Sequence, residues 1–167
     1  MDARADRESP PLKNIGSVTI STPGDRQIVV TRIFDAPRAV VFEAWTQAEH
    51  VAHWWDPSGV PLAVCEIDLR PNGAFRWVNR APDGGEGHTF TGNYREIVPP
   101  ERLAFSPPSS PEQVSTLVFT EEGKKTKLTM TIECASREER EAMLRMRVDA
   151  GTAKTLENLA AYLPTIT

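Results

Sequence analysis

The sequence predicts a single α+β domain, in which a curved antiparallel sheet of about seven strands wraps one long C-terminal helix. Two short helices follow the first strand. Three observations predict it. Residues 34–55 leave a strand through Asp35-Ala36-Pro37, pass through two short helical patterns and end on the doublet Trp54-Trp55. Residues 62–134 then hold strand-like patterns punctuated by glycine and proline turns. Finally, Ser136 and Glu139 read as a capping box that opens a helix, and Pro164 stops it just after Leu163.

Composition bounds the rest. A chain of 167 residues suits one domain, which buries about 70% of its unfolded surface. Hydrophobic content of 40% and charged content of 25% describe an ordinary globular protein. The net charge of −4, without a basic stripe, argues against nucleic acid as a partner. No apolar run approaches the roughly 18 residues of a membrane span, and no hydrophobic segment follows Met1, so the cytoplasm is the expected compartment. Cys65 and Cys134 both lie in strand-like patterns and are expected as buried free thiols rather than as a disulfide. Residues 1–15 are charged, bear Ser9-Pro10-Pro11 and lack periodicity; they are expected to form a disordered tail, leaving 16–167 as the domain.

Along the chain, Val18 and Ile20 suggest a short edge strand before the turn Pro23-Gly24-Asp25, and residues 27–34 form a strand of β-favouring residues. Ala36 is kept extended by the proline after it, so it should end this strand and cap the helix, with Pro37 in the first turn. Thr46 and Glu49 have capping-box spacing and should restart a second helix. A strand at 62–69 then turns through Pro71-Asn72-Gly73 into 74–80, because Asn and Gly both tolerate positive φ. The glycine-rich loop 81–87 leads to a strand at 88–98. Pro99-Pro100 turns it towards 103–106, and the proline loop 107–112 follows. Residues 114–120 and 126–134 make a hairpin. In its second arm Leu128, Met130, Ile132 and Cys134 alternate with Lys127, Thr129, Thr131 and Glu133, giving one apolar and one wet face.

On the closing helix, Leu144, Val148, Gly151, Thr152, Thr155, Leu159, Tyr162 and Leu163 keep to one face at a 3.6-residue period. The centre of that stripe is too small and polar for a coiled-coil seam. A helix of roughly 40 Å needs a long apolar wall, which a curved sheet supplies. Small, hydroxylated residues at the centre leave room and offer a hydrogen bond. Two plainer readings stand beside this one: Gly151 admits a crossing strand, and each threonine bonds back to its own helix.

Several residues invite chemistry. Trp54 and Trp55 can form an aromatic wall, but neighbours on a helix point in different directions, so at most one fully lines a cavity. With the strand aromatics Phe75, Trp77, Phe90 and Tyr94, and with Met130, they are the candidate ligand contacts. Gly151, Thr152 and Thr155 complete the set from the helix. His50, His53 and His88 lack the carboxylate or cysteine companions of a metal set and are expected to be exposed; no metal and no cofactor is expected. Asp68, Arg70, Tyr94 and Glu96 lie on strands beside the expected cavity, either as inward acid–base groups or as surface pairs. No Ser-His-Asp order, nucleophile elbow or phosphate loop is present, and no catalytic residue is assigned.

The string Arg32-Ile33-Phe34-Asp35-Ala36-Pro37-Arg38, followed by Val41-Phe42, Ala44-Trp45-Thr46 and Trp54-Trp55, resembles the START-like (SRPBCC) superfamily. The nearest branch is the one named after the activator of heat-shock-protein-90 ATPase. Residues 65–73 (Cys-Glu-Ile-Asp-Leu-Arg-Pro-Asn-Gly) and 92–103 (Gly-Asn-Tyr-Arg-Glu-Ile-Val-Pro-Pro-Glu-Arg-Leu) are similar to two further blocks of that branch, so the resemblance covers about residues 26–163. It implies a helix-grip fold with a hydrophobic, lipid-binding-like cavity between sheet and C-terminal helix. The implied function is binding of a small hydrophobic or amphipathic molecule, as a carrier or sensor, with loops 81–87 and 107–112 as gates. Its alternatives are a cyclase- or dehydratase-like enzyme using polar cavity residues and a stress-related co-chaperone acting through its surface. Homodimer formation stays open.

Two departures from the branch matter. Many relatives have a Gly-Trp pair on the closing helix where this chain has Gly151-Thr152, which should enlarge or rehydrate the middle of the cavity. The founding co-chaperone also has a separate client-binding N-terminal domain, which the short tail here does not replace.

Overall fold

A computed structural model describes residues 13–166. Nine strands form one antiparallel sheet: β1 (Lys13–Ile15), β2 (Val18–Ser21), β3 (Gln27–Phe34), β4 (Val64–Ile67), β5 (Ala74–Arg80), β6 (Glu86–Val98), β7 (Arg102–Ser106), β8 (Val114–Glu122) and β9 (Lys125–Glu133). Their order is β1-β2-β3-β9-β8-β7-β6-β5-β4, so the first hairpin and β4 are the two edges. Helices α1 (Arg38–Thr46) and α2 (Ala48–Trp54) lie between β3 and β4, while α3 (Arg137–Arg145) and α4 (Val148–Tyr162) follow β9 and end in the 3-10 turn Leu163–Thr165. This is the expected α+β helix-grip arrangement. None of the helices among the described residues is long and apolar enough to cross a membrane.

The sheet has nine strands rather than about seven, because its N-terminal edge begins earlier than expected. Lys13–Ile15 pairs with β2 through Lys13↔Ile20 and Ile15↔Val18, so residues 13–15 belong to the sheet and not to a tail. The rest of the tail expectation, residues 1–12, lies outside the described residues. β2 is drawn in because Val18 and Ile20 are both buried against the core.

Period-two alternation holds where it was clearest. In β9, Leu128, Met130 and Ile132 are buried while Lys127, Thr129 and Thr131 are half-buried on the outer face. The Asn-Gly turn is also as expected. Asn72 takes a positive φ of 68°, while Gly73 does not and is required instead by close approach, since a Cβ there would clash with the Asp68 carbonyl oxygen.

Three local expectations fail for identifiable reasons. Pro37, not Ala36, is the N-cap of α1, with ψ at 150° and its carbonyl accepting from Val41; the Ala36 carbonyl instead accepts from the Thr126 hydroxyl at 2.7 Å. Thr46 does not cap α2. It is the last residue of α1, its hydroxyl donates to Phe42 O at 2.9 Å, and Gln47 takes the cap position without a side-chain bond. The expected single closing helix is broken at Met146-Arg147, where Arg147 adopts a left-handed φ of 62°. The break lets the two halves serve different faces. Arg140 of α3 donates to the carbonyls of Thr22, Gly24 and Gln27 in the β2–β3 connection, whereas α4 packs along the sheet for about 22 Å. Half of the capping box that opens α3 forms as expected: Glu139 N–H donates to Ser136 Oγ at 3.0 Å, while Glu139 Oε1 accepts from the Ala135 N–H, one residue before the cap.

The core fills the space between the sheet's inner face and α1, α2 and α4. Trp45, Trp54, Trp77, Phe34, Phe75 and Phe119 are its largest fully buried side chains.

Candidate functional site

On β5 the inward series is Phe75, Trp77 and Asn79; on β6 it is His88, Phe90, Gly92 and Tyr94. Their pairing shifts by one residue near the loop end, from Val78↔Thr89 to Arg80↔Glu86, so β6 holds an extra residue opposite Asn79. Such a bulge re-aims side chains. Here it sets Asn79 and His88 on the rim of a cavity of about 240 Å³ between the sheet and α4.

The cavity is built in layers. Trp45, Met130 and Leu156 are buried and form its floor, with Thr155 beside them. The half-buried rings of Trp55 and Phe90 stand nearly parallel, 5.2 Å apart at 21°, and form one wall. Val148, Gly151 and Thr152 supply the helix side, while Pro57 and His88 are exposed at the opening. A Cβ placed on Gly151 would meet no atom within 4 Å, so this glycine faces open space instead of admitting a strand.

Nor does Thr155 bond back to its own helix: its hydroxyl donates to the Trp55 carbonyl at 3.0 Å. One turn further on, Asn158 Nδ2 donates to Asp56 O at 2.9 Å. Together they fasten the segment that holds Trp55 and Pro57 against α4. Asp56 itself is buried beside the rim. Burial opposes its ionisation, but the Ser58 backbone N–H, the Asn79 amide and the Ser58 hydroxyl outweigh this and hold its carboxyl below the usual value.

Of the candidate contacts, Trp55, Phe90, Met130, Gly151, Thr152 and Thr155 line the cavity. Trp54, Phe75, Trp77 and Tyr94 do not. Trp54 is 0% exposed and its indole N–H donates to Ala44 O at 3.1 Å. Phe75 and Trp77 pack ring to ring at 4.6 Å within the solid core. Tyr94 lies on the far side of Phe75 from Trp77's end of β5, where it borders a separate depression with Asn72, Arg95 and Pro107. Burial raises its hydroxyl's pKa far above the ordinary range, with the Cys65 thiolate charge adding to the effect. All four strand rings lie on the inner face, but packing alone decides which of them fill the core and which border the void.

Trp45, Pro57, Asn79, His88 and Leu156 line the cavity without having been expected to. Leu156 was within reach of the pattern, since it follows Thr152 by four residues and shares its face. His88 and Asn79 depend on a bulge that has no clear signature in the sequence.

The remaining candidates stand elsewhere. Asp68 and Arg70 form an exposed ion pair at 2.9 Å, and Glu96 pairs with Arg102 at 2.8 Å. His50 is half-buried rather than exposed, with Nδ1 2.7 Å from the Tyr162 hydroxyl, and His53 stacks on the same ring. Cys65 and Cys134 are free thiols; burial pushes Cys65 up to about 11, with Glu66 adding to it. Loop 107–112 does not border the cavity, because the Ser110 hydroxyl ties it to Glu139 of α3 at 2.9 Å. Loop 81–87 is a closed turn, with Ala81 N–H on Gly85 O, and touches the rim only through the flanking Asn79 and His88. A wider groove of about 790 Å³ runs between α1 and the Pro99-Pro100 turn, with a mixed lining in which Glu43, Gln47, Glu49 and His50 stand beside Phe42, Leu69 and Ile166.

Residues 35–164 match the family described as Activator of Hsp90 ATPase homolog 1-like protein. Solved structures share the fold. A protein from Rhodobacter sphaeroides superposes with a TM-score of 0.81 at 22% identity, over 90% of this chain and 99% of that one. A protein from Nitrosomonas europaea gives 0.77 at 20% identity, over 86% and 97%. The AHSA1-like protein from Aeromonas hydrophila gives 0.68 at 21% identity, over 82% and 92%. No curated protein matches the sequence.

Proposed function

The chain belongs to the activator of Hsp90 ATPase homolog 1-like family, and we propose that it binds a small apolar or amphipathic molecule in the cavity between sheet and α4, as a carrier or sensor. The observation that carries this reading is the void beside Gly151 and Thr152. A helix serving packing alone would fill the middle of its buried stripe with a large aliphatic residue. This one leaves open space there, bordered by Trp45, Trp55, Phe90 and Met130.

The size is suited to a compact ligand. Apolar cavities of about 150 Å³ take up benzene, and this one measures about 240 Å³. Affinity would come mainly from apolar burial, at roughly 25 cal/mol per Å² removed from water. The exposed ion pairs of Asp68 and Glu96 support binding over acid–base chemistry by those residues.

Native mass spectrometry of the protein purified from its own host tests the reading directly. A small-molecule adduct is expected in the natural chain and absent from Thr152→Trp, whose indole would occupy the void while circular dichroism shows the fold retained. An adduct that survives unchanged in Thr152→Trp places binding elsewhere.

A further inference from the structure

The cavity's polarity is graded, and the gradient has a direction. Its buried end is apolar: Trp45, Met130 and Leu156. The Thr155 hydroxyl beside this floor is already engaged with the Trp55 carbonyl, whereas at the open end the β5–β6 bulge brings His88 and Asn79 together on the rim. Between them the Trp55 and Phe90 rings form a flat-sided wall.

The charge at the opening is also one-sided. No lysine or arginine lines the cavity among the described residues, and the Asp56 carboxylate stands next to Asn79. With its carboxyl held below the usual value, Asp56 is a fixed negative charge at neutral pH. An anionic group on the rim would meet like charge with no compensating cation. A neutral hydroxyl would meet the Asn79 amide and the His88 ring, each of which both donates and accepts.

Resting on the binding reading above, we propose that the ligand is a flat aromatic molecule with one neutral hydroxyl, seated ring-first on Trp45 and Met130 with the hydroxyl at His88 and Asn79. The apolar floor selects the ring and the rim selects the substituent. Carboxylated analogues of the same ring are excluded by Asp56.

Three probes that share one ring system separate these statements: naphthalene, 2-naphthol and 2-naphthoate, each titrated at pH 7 by quenching of tryptophan emission. In the natural protein 2-naphthol is expected to bind about tenfold tighter than naphthalene, the increment of one rim hydrogen bond, and 2-naphthoate more weakly than either. In His88→Ala and in Asn79→Ala, each shown to be folded by circular dichroism, the ratio of 2-naphthol to naphthalene affinity falls to about one. Asp56→Asn relieves the exclusion of 2-naphthoate. Binding of naphthalene without any preference for 2-naphthol, or a preference that survives both rim variants, overturns the proposal and leaves the binding reading standing. Failure of all three probes to bind overturns the proposal as well, whereas the binding reading falls only if the natural protein carries no small-molecule adduct.

Discussion

The Thr155 hydroxyl on α4 donates a 3.0 Å hydrogen bond to the carbonyl of Trp55, a residue 100 positions earlier in the chain. The Trp55 ring stacks on Phe90 in the cavity wall, so this bond ties that wall to α4. Thr155→Val keeps the shape and removes the donor. A net hydrogen bond contributes about 1 kcal/mol, and a carbonyl left unsatisfied costs more. Urea unfolding should therefore show a loss of about 1–2 kcal/mol. The Trp55 emission should also shift as the ring loosens; an unchanged midpoint and spectrum would mean that Asn158, bonded to Asp56 O, holds the segment alone.

Gly151 offers a test of opposite sign. Glycine inside a helix costs roughly 0.5–1 kcal/mol relative to alanine, and the space beside this one is empty to 4 Å. Gly151→Ala should raise stability by that amount in a denaturant titration. Destabilisation would show that the void closes in solution.

Gly92 faces the other situation. A Cβ built there would clash with Cζ and Cε2 of Phe75, since the end of the Phe75 ring covers the glycine. Gly92→Ala must push that ring into the Trp77 and Phe105 rings beside it, an overpacking that costs about 1–3 kcal/mol. Phe75→Leu in the same chain should recover part of the loss, because the two sites share one contact. Strictly additive effects in the double variant would reject the ring contact as the cause.

How much of this was legible in the sequence follows from the range of each interaction. The sheet and its inner face could be read from period-two alternation, as in Leu128-Met130-Ile132, because burial and register are locked together. The small centre of the helix stripe at Gly151-Thr152-Thr155 could be read from 3.6 periodicity, and it marks the place of the void. The sorting of aromatics could not. Phe75 and Phe90 follow the same alternation on neighbouring strands, yet one fills the core and the other borders empty space, and only three-dimensional packing decides between them. The helix break at Arg147 was hidden for a related reason. Nothing local at Met146-Arg147 forbids a helix, and the contacts that distinguish α3 from α4, such as Arg140 on the carbonyls of Thr22, Gly24 and Gln27, lie more than a hundred residues away in the chain. His88 and Asn79 were missed because a one-residue bulge leaves no composition signal.

The last prediction concerns the joint between the first strand and α4. Asp149 sits in the first turn of α4, buried, and its carboxylate accepts from the Lys13 ammonium of β1. Burial by itself would raise the Asp149 pKa; the hydrogen bond from Lys13, the Ala150 N–H, the Lys13 charge and Asp149's own N–H together outweigh it, so the carboxyl titrates below its ordinary value. The position at a helix N-terminus favours the same charge. A folded pKa below the unfolded one, about 3.9 for aspartate, means that the unfolded chain binds the proton more readily. The stabilisation is therefore complete above the unfolded pKa and is lost as pH falls through the folded one. Asp149→Asn should be less stable than the natural protein at pH 7 and pH 5, with the gap narrowing once the pH drops below about 4. Lys13→Met should produce a gap that narrows over the same acid range, since it breaks the same pair from the other side. Urea midpoints at pH 7, 5 and 3 measure both. A gap of constant size at all three would assign Asp149 a packing role and take the charge pair out of the account of how the N-terminal hairpin is held to the helix.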